Sequence, residues 1–196
     1  FRSMFDVHGP AEGSIEEQVT TLAELQQQGL IRHIGLSNVT ATQIAEGRKI
    51  TEIACVQNQY NLARREDDAL IDALARDGIA YVPFFPLGGF SPLQSSALSA
   101  VASRLGATPM QVALAWLLGR PGVTSVIIGG RSDEQFQDNL KAAELKLSAE
   151  ERLRLDKVSQ PPLLYPYWHQ SFTAQDRLSP IDQDLIAPYA EEFKRG

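Results

Sequence analysis

The 196-residue sequence predicts an α/β fold of successive βα units on a parallel sheet, and three observations carry that reading. Short apolar runs of strand length alternate with helical segments from about residue 3 to residue 158. The fourth strand, Ile79-Ala80-Tyr81-Val82-Pro83-Phe84, is apolar throughout, as in a strand buried on both faces. Helix starts and stops carry the residues that cap them.

Taken in order, Ser3 to His8 reads as a short strand ended by Gly9-Pro10. Ser14-Ile15-Glu16-Glu17 has the spacing of a capping box, with Ser14 as cap and Glu17 reaching back. The helix it opens places Val19, Leu22 and Leu25 on one face and stops at Gly29. Ile31 to Leu36 is the second strand and Thr40 to Arg48 its helix. Ile53 to Gln57 is the third, followed by a helix from Asp67 to Arg76 closed by Asp77-Gly78. Ile79 to Phe84 is the fourth. A longer connection holds a helix near Leu98 to Leu105, and Thr108-Pro109 places a cap and a first-turn proline before Met110 to Leu118. Val123 to Ile128 is the fifth strand, with a helix from Asp133 to Ala143. Ser148-Ala149-Glu150-Glu151 is a second capping box, opening a helix to Val158, and periodicity ends at Pro161-Pro162.

Strands separated by helices of this length form right-handed crossovers on a parallel sheet. A closed (β/α)8 barrel needs eight strands and about 250 residues. Five strands cannot close. The expectation is either an open doubly wound domain or a barrel with about three βα units ahead of residue 1, and a start that already looks like strand interior favours the barrel. Residues 1–160 form the barrel part, and 161–196 a tail that packs on it or covers its mouth.

Composition narrows the function. A net charge of −6 argues against nucleic acid or an anionic membrane surface as partner. No apolar run approaches the roughly 20 residues that span a bilayer. The single cysteine, Cys55, sits in an apolar run, reads as a small buried hydrophobe, and fits a reducing cytoplasmic setting.

The strand ends carry the chemistry. His8, Ser37-Asn38, Gln57, Pro86-Leu87-Gly88-Gly89 and Gly129-Gly130-Arg131-Ser132 follow the five strands in turn. In a parallel barrel these ends converge on one face, where sites are built. A hydroxyl and several amides suit an amide-bearing ligand. The glycine pairs let backbone N–H groups approach an anion beside the N-terminus of the helix after Ser132. Taken singly, each has an ordinary explanation: a helix cap, a turn, a satisfied polar group, a surface charge. Five in succession do not.

Four segments then resemble the aldo-keto reductase family. Gly29-Leu30-Ile31-Arg32-His33-Ile34-Gly35-Leu36-Ser37-Asn38 is similar to its G-K-[VI]-R-x-[IV]-G-[VL]-S-N segment. Val56-Gln57-Asn58-Gln59-Tyr60-Asn61-Leu62 is similar to Q-x-[EQ]-Y-[NS]-L. Pro83-Phe84-Phe85-Pro86-Leu87-Gly88-Gly89 resembles [YW]-[ST]-P-L-[AG]-G. Val126-Ile127-Ile128-Gly129-Gly130-Arg131-Ser132, with Gln135 and Asp138-Asn139-Leu140, resembles I-P-G-[AS]-x-[ST]-x-x-Q-[LF]-x-[DE]-N, with Ile128 where the family has proline. Order and spacing match the family's last five βα units.

The resemblance implies a (β/α)8 barrel, incomplete here, from about the fourth strand to the eighth helix. It implies an NADP(H)-dependent oxidoreductase that reduces a small aldehyde or ketone. Ser37, Asn38 and Gln57 would bind the nicotinamide carboxamide, and Phe84 would stack on the ring. Leu87 to Phe90, Gly88 and Gly89 among them, would line the pyrophosphate, and Pro86, Gly129 and Gly130 count among the cofactor-binding residues. Arg131, Gln135, Asp138 and Asn139 would surround the adenosine, with Arg131 reaching a 2′-phosphate and so favouring NADPH over NADH. Phe5-Asp6-Val7-His8-Gly9-Pro10 resembles the segment whose histidine orients the substrate carbonyl, which makes His8 the catalytic candidate.

The family's aspartate, tyrosine acid and lysine belong to its first three units. None of Tyr60, Tyr81, Tyr165, Tyr167 or Tyr189 stands at the tyrosine's place. The 196 residues alone are therefore expected to show little turnover. In the tail, Trp168 and His169 are candidates for the substrate pocket. Two other readings stay open: a non-catalytic NADPH-binding barrel acting as a regulatory or scaffold subunit, and a phosphate-binding βα enzyme of another class. The sequence leaves oligomeric state undetermined.

Overall fold

The computed structural model describes residues 1, 5–6, 9–88, 95–130 and 132–158. Its centre is a three-stranded parallel sheet of β3 (Ile34–Ser37), β4 (Ile53–Gln57) and β5 (Ala80–Tyr81), in that order, after a small hairpin of β1 (Phe5–Asp6) and β2 (Gly9–Pro10). Helices α1 (Glu16–Gln27), α2 (Ala41–Ile50) and α3 (Asp68–Arg76) connect the strands, and α4 (Ser96–Leu105), α5 (Pro109–Leu118), α6 (Asp133–Leu140) and α7 (Ala149–Val158) follow.

The parallel series extends one position beyond the sheet on each side. Phe1 donates its N–H to the Gly35 carbonyl at 3.0 Å and accepts from the Ser37 N–H at 2.8 Å, the slanted pattern of a parallel ladder. At the other side Val123 bridges Tyr81 in parallel, and the Thr124 N–H bonds the Tyr81 carbonyl at 2.9 Å. Phe1, β3, β4, β5 and Val123-Thr124 therefore lie side by side with one polarity.

Two strands differ from expectation. Within the stretch expected as one strand from Ser3 to His8, the described residues Phe5 and Asp6 pair antiparallel with the chain that follows, Phe5 opposite Pro10 and Asp6 opposite Gly9. Gly9-Pro10, which reads in sequence as a terminator, is the returning strand, and Pro10 has no N–H to carry the ladder further. The fifth strand is only a bridge with scattered bonds. The next parallel bond would need a donor at residue 83, and Pro83 supplies none. Pairing resumes out of step, with the Ile127 N–H on the Pro83 carbonyl at 3.1 Å.

The helix punctuation follows local chemistry. At Gly29 (φ 75), Gly78 (φ 72) and Gly106 (φ 63), the residue after the glycine donates back to the carbonyl five positions earlier, closing α1, α3 and α4 in Schellman fashion. Thr108 and Gln111 form a reciprocal capping box, and so do Ser148 and Glu151. The box expected at Ser14 and Glu17 does not form. Glu46 from α2 accepts the Ile15 N–H at 2.9 Å and the Ser14 hydroxyl, so a long-range carboxylate replaces the local one.

Burial alternates along β3, and in β4 Ile53 and Val56 are the buried positions. Ile34, Leu36 and Val56 are buried against the helices, joined by Tyr81 from β5. They pack in one cluster with Val19, Ile44, Ile71, Val101, Val112, Trp116 and Leu155. α5 is buried from Gln111 to Leu117 because α4, α6 and the 3-10 turn after α6 all contact it. The opposite sheet face carries Gly35, Ser37, Cys55 and Gln57, and this face opens into a cleft.

Candidate functional site

A cleft of about 540 Å³ lies over the sheet face opposite the helices. Ser37, Gln57 and Phe84, from the ends of three consecutive parallel strands, line it beside Phe85 and Ile127, above a floor of Gly35 and Cys55. The floor is low because residue 35 lacks a side chain: a Cβ there would stand 2.7 Å from the Cys55 sulfur. At this point the ladder slips, with Ile34 opposite Ile53 but Gly35 opposite Cys55.

Polar side chains behind the lining fix its shape. The Asn38 N–H closes the β3–β4 ladder on the Gln57 carbonyl at 2.8 Å, and Asn38 turns the chain with φ 56. Its side chain is only 2% exposed, so of the Ser37-Asn38 pair it is Ser37 that faces the cleft. Phe85 also has a left-handed backbone, φ 53, uncommon for a bulky residue. Pro86 disfavours the right-handed helical region at position 85. The buried Asn61 amide and the Gly88 N–H both bond the Phe85 carbonyl, at 3.0 and 3.1 Å. The two rings meet edge to face, centroids 5.2 Å apart, presenting an apolar wall.

The second group of expected residues, after the fifth strand, is arranged differently from a ring of free ligand contacts. Asn139 is buried and donates to the Gly129 carbonyl at 3.3 Å, and the Gln111 amide holds Asp138 through its carboxylate at 2.8 Å and its carbonyl at 3.0 Å. These two residues anchor the Gly129-Gly130 turn to α5. Gln135 is exposed on the first turn of α6, whose Ser132 cap accepts the Gln135 N–H at 3.2 Å. Pro86, Leu87 and Gly88 follow Phe85 in the chain and are not among the lining residues of the cleft, and Leu87 packs against the core. His8, Gly89, Arg131 and the tail with Trp168 and His169 lie outside the described residues.

Tyr60 and Tyr81 are fully buried on the helix side. Burial, then the bond from its hydroxyl to Asp68, pushes the Tyr60 phenol up to about 12, and burial beside Asp67 pushes Tyr81 up as well. Neither is tuned to give up a proton. Behind them, burial raises the Asp67 carboxyl despite bonds from the Tyr81 hydroxyl at 2.7 Å and the Asn58 amide at 2.8 Å.

Sequence reasoning missed Gly35, Cys55, Phe85 and Asn58 as parts of the site. Only Phe85 carried a signal, a bulky residue where the resembling segment has serine or threonine. Among the described residues no three His, Cys, Asp or Glu side chains cluster to hold a metal, and no helix is long and apolar enough to cross a membrane.

Comparison with known proteins gives a consistent result. The model of the aldo/keto reductase family matches residues 4–160. Pyridoxine 4-dehydrogenase of Escherichia coli K12 is 66% identical over 157 residues, covering 80% of this chain and 55% of that protein. Methylglyoxal reductase DkgB of Escherichia coli O157:H7 is 30% identical over 173 residues, covering 83% of this chain and 64% of the relative. A crystal structure of a thermostable aldo-keto reductase, Tm1743, in complex with the inhibitor epalrestat superposes with a TM-score of 0.66 at 37% identity, over 72% of this chain and 54% of that one. Aldose reductase from Giardia lamblia, at 22% identity and a TM-score of 0.68 over 85% of this chain and 60% of its own, shares the fold. The chain spans about half the length of relatives such as the dehydrogenase. Parallel strands in barrel order, polar tips over one cleft and a family match over most of the sequence lead to one conclusion: this chain belongs to the aldo/keto reductase family.

Proposed function

We propose that the protein carrying this chain is an NADP(H)-dependent oxidoreductase acting on a small carbonyl, and that this chain supplies most of its nicotinamide site. The observation that carries the reading is that Ser37, Gln57 and Phe84 line one cleft from three neighbouring strand tips. The donor set fits the group. A hydroxyl and a carboxamide can pair with the amide of a nicotinamide, each such bond contributing about 0.5–1.5 kcal/mol. The Phe84–Phe85 wall can cover a flat ring and exclude water from one face.

Bound there, the nicotinamide would supply or accept the hydride. Ser37 and Gln57 hold the carboxamide and so choose which ring face meets the substrate. Phe84 blocks the other face. Gly88, with its N–H already on the Phe85 carbonyl, shapes the rim along which the phosphates run. Gly129 and Gly130 would let the backbone approach those phosphates, with Gly129 fixed by Asn139. Pro86, Leu87, Gly89, Arg131, Gln135 and Asp138 complete the cofactor surface in this reading, Arg131 selecting NADPH through its 2′-phosphate. His8 would donate to the substrate carbonyl oxygen, a role that rests on its sequence context. The acid that protonates the developing alkoxide is neither Tyr60 nor Tyr81, given their burial.

Similarity to pyridoxine 4-dehydrogenase makes the 4-hydroxymethyl group of pyridoxine, or the aldehyde it yields, the first substrate to test. The assay is NADPH oxidation at 340 nm with pyridoxal and full-length protein. Turnover faster with NADPH than with NADH supports the reading. Tight NADPH binding with no turnover on pyridoxal, methylglyoxal or aromatic aldehydes would replace it with a non-catalytic, regulatory one.

A further inference from the structure

We propose that Asn58 is a positioning residue that holds the tips of β3, β4 and β5 in register, so that Ser37, Gln57 and Phe84 can meet one ligand. The inference rests on the functional reading above and concerns how its site is kept in shape.

Asn58 follows Gln57 directly and is 3% exposed. Its Oδ1 accepts the Val39 N–H at 3.0 Å and its Nδ2 donates to the Val39 carbonyl at 2.8 Å. The side chain thus pairs with Val39 as a neighbouring strand would, just where Asn38 has turned the chain out of the ladder. Its own carbonyl accepts the Phe84 N–H at 3.0 Å. One residue therefore ties the segment after Ser37-Asn38 to the segment that presents Phe84.

The amide can do this in one orientation only. Its second Nδ2 hydrogen goes to the Asp67 carboxylate at 2.8 Å, an acceptor with no hydrogen to offer when ionised. A flipped amide would set an oxygen against both Asp67 and the Val39 carbonyl. Asp67 is held in turn by the Tyr81 hydroxyl at 2.7 Å, on the residue that pairs with Val56 in the sheet. The chain Tyr81–Asp67–Asn58–Val39 runs behind the lining and touches none of the cleft surface itself.

The polarity of the Asn58–Asp67 contact provides the test in full-length protein. Asn58→Asp keeps the shape but replaces both donated bonds by oxygen facing oxygen. Adding Asp67→Asn restores a donor between positions 58 and 67 while leaving the Val39 carbonyl unpaired. Near-UV circular dichroism and melting establish that each variant is folded; NADPH fluorescence titration and turnover with pyridoxal read the site. Small misplacements of a reacting group can cost about 100-fold in rate, so folded N58D should lose roughly 10- to 100-fold in kcat with a smaller change in KM for the carbonyl. The N58D/D67N pair should recover part of that loss, which a merely destabilising change would not do. Should N58D fail to fold, Asn58→Ala carries the same comparison without the added charge. Folded variants with wild-type kcat and NADPH affinity overturn the proposal while leaving the functional reading intact. Wild-type protein that binds no NADPH defeats the functional reading first.

Discussion

Gly35 lies on the cleft floor because Cys55 lies beside it, and a double-mutant cycle tests that dependence. Gly35→Ala places a Cβ 2.7 Å from the Cys55 sulfur and 3.4 Å from the Cys55 carbonyl oxygen. Carbon contacts are favourable near about 3.5–4.0 Å, so the sulfur must move by close to an ångström or the strands must part. Overpacking of this kind costs about 1–3 kcal/mol. Cys55→Ala alone removes one atom from a half-buried site and should cost about 1 kcal/mol or less. With the sulfur gone, the added methyl at position 35 has room. The double variant should therefore be more stable than the sum of the single effects by about 1–2 kcal/mol. In urea, with m near 2 kcal/mol/M, a 2 kcal/mol loss in G35A moves the midpoint down by about 1 M. The same displaced sulfur rises into the cleft, so G35A should also weaken NADPH, and Cys55→Ala should restore it. Strictly additive midpoints, or an affinity loss that Cys55→Ala leaves untouched, would refute the packing argument.

Four further outcomes follow from named contacts. Gln57→Ala should weaken NADPH by about 5- to 100-fold, the loss of one or two neutral hydrogen bonds, with little change in melting temperature; an unchanged titration curve removes Gln57 from the site. Tyr81→Phe strips one donor from the half-buried Asp67 and should cost about 1.5–3 kcal/mol in chemical denaturation. Glu151 has its carboxyl held below the usual 4.5 by the Ser148 hydroxyl and N–H, then by Arg104. A depressed folded-state value gives stability that is present above the unfolded value and lost as pH falls through the acid range. Glu151→Gln should accordingly flatten the loss of stability on acidification below pH 4.5, and equal acid slopes would contradict this. His8→Asn should lower kcat while sparing NADPH affinity, and unchanged rates take His8 out of the mechanism.

What the sequence could reveal depended on how local the governing interaction is. Thr108 with Gln111, and Ser148 with Glu151, are caps three residues apart, so the chain announces them. Ser14 looked equivalent, but Glu46, 32 residues away, reached it first, and no local pattern encodes that. The hairpin at Phe5–Pro10 hid behind a dipeptide that usually ends strands. Pro83 was visible, yet its effect falls on Val123 to Ile128, the segment that would need its N–H. At the site, Ser37, Gln57 and Phe84 were legible as strand-end residues in recognisable segments. Asn58 was not, because its role lies in two partners distant in sequence, Val39 and Asp67. Asp138 and Asn139 read from the sequence as cofactor contacts, and their bonds to Gln111 and Gly129 are side-chain geometry that spacing does not supply.

Hydrogen–deuterium exchange of full-length protein with and without saturating NADPH addresses the central claim directly. Slowed exchange in peptides spanning residues 36–39, 56–59 and 84–88, with 128–135 protected to a similar degree, is the result expected of strand tips that converge on one dinucleotide. Binding that leaves these four stretches at their free rates while protecting residues elsewhere would contradict it.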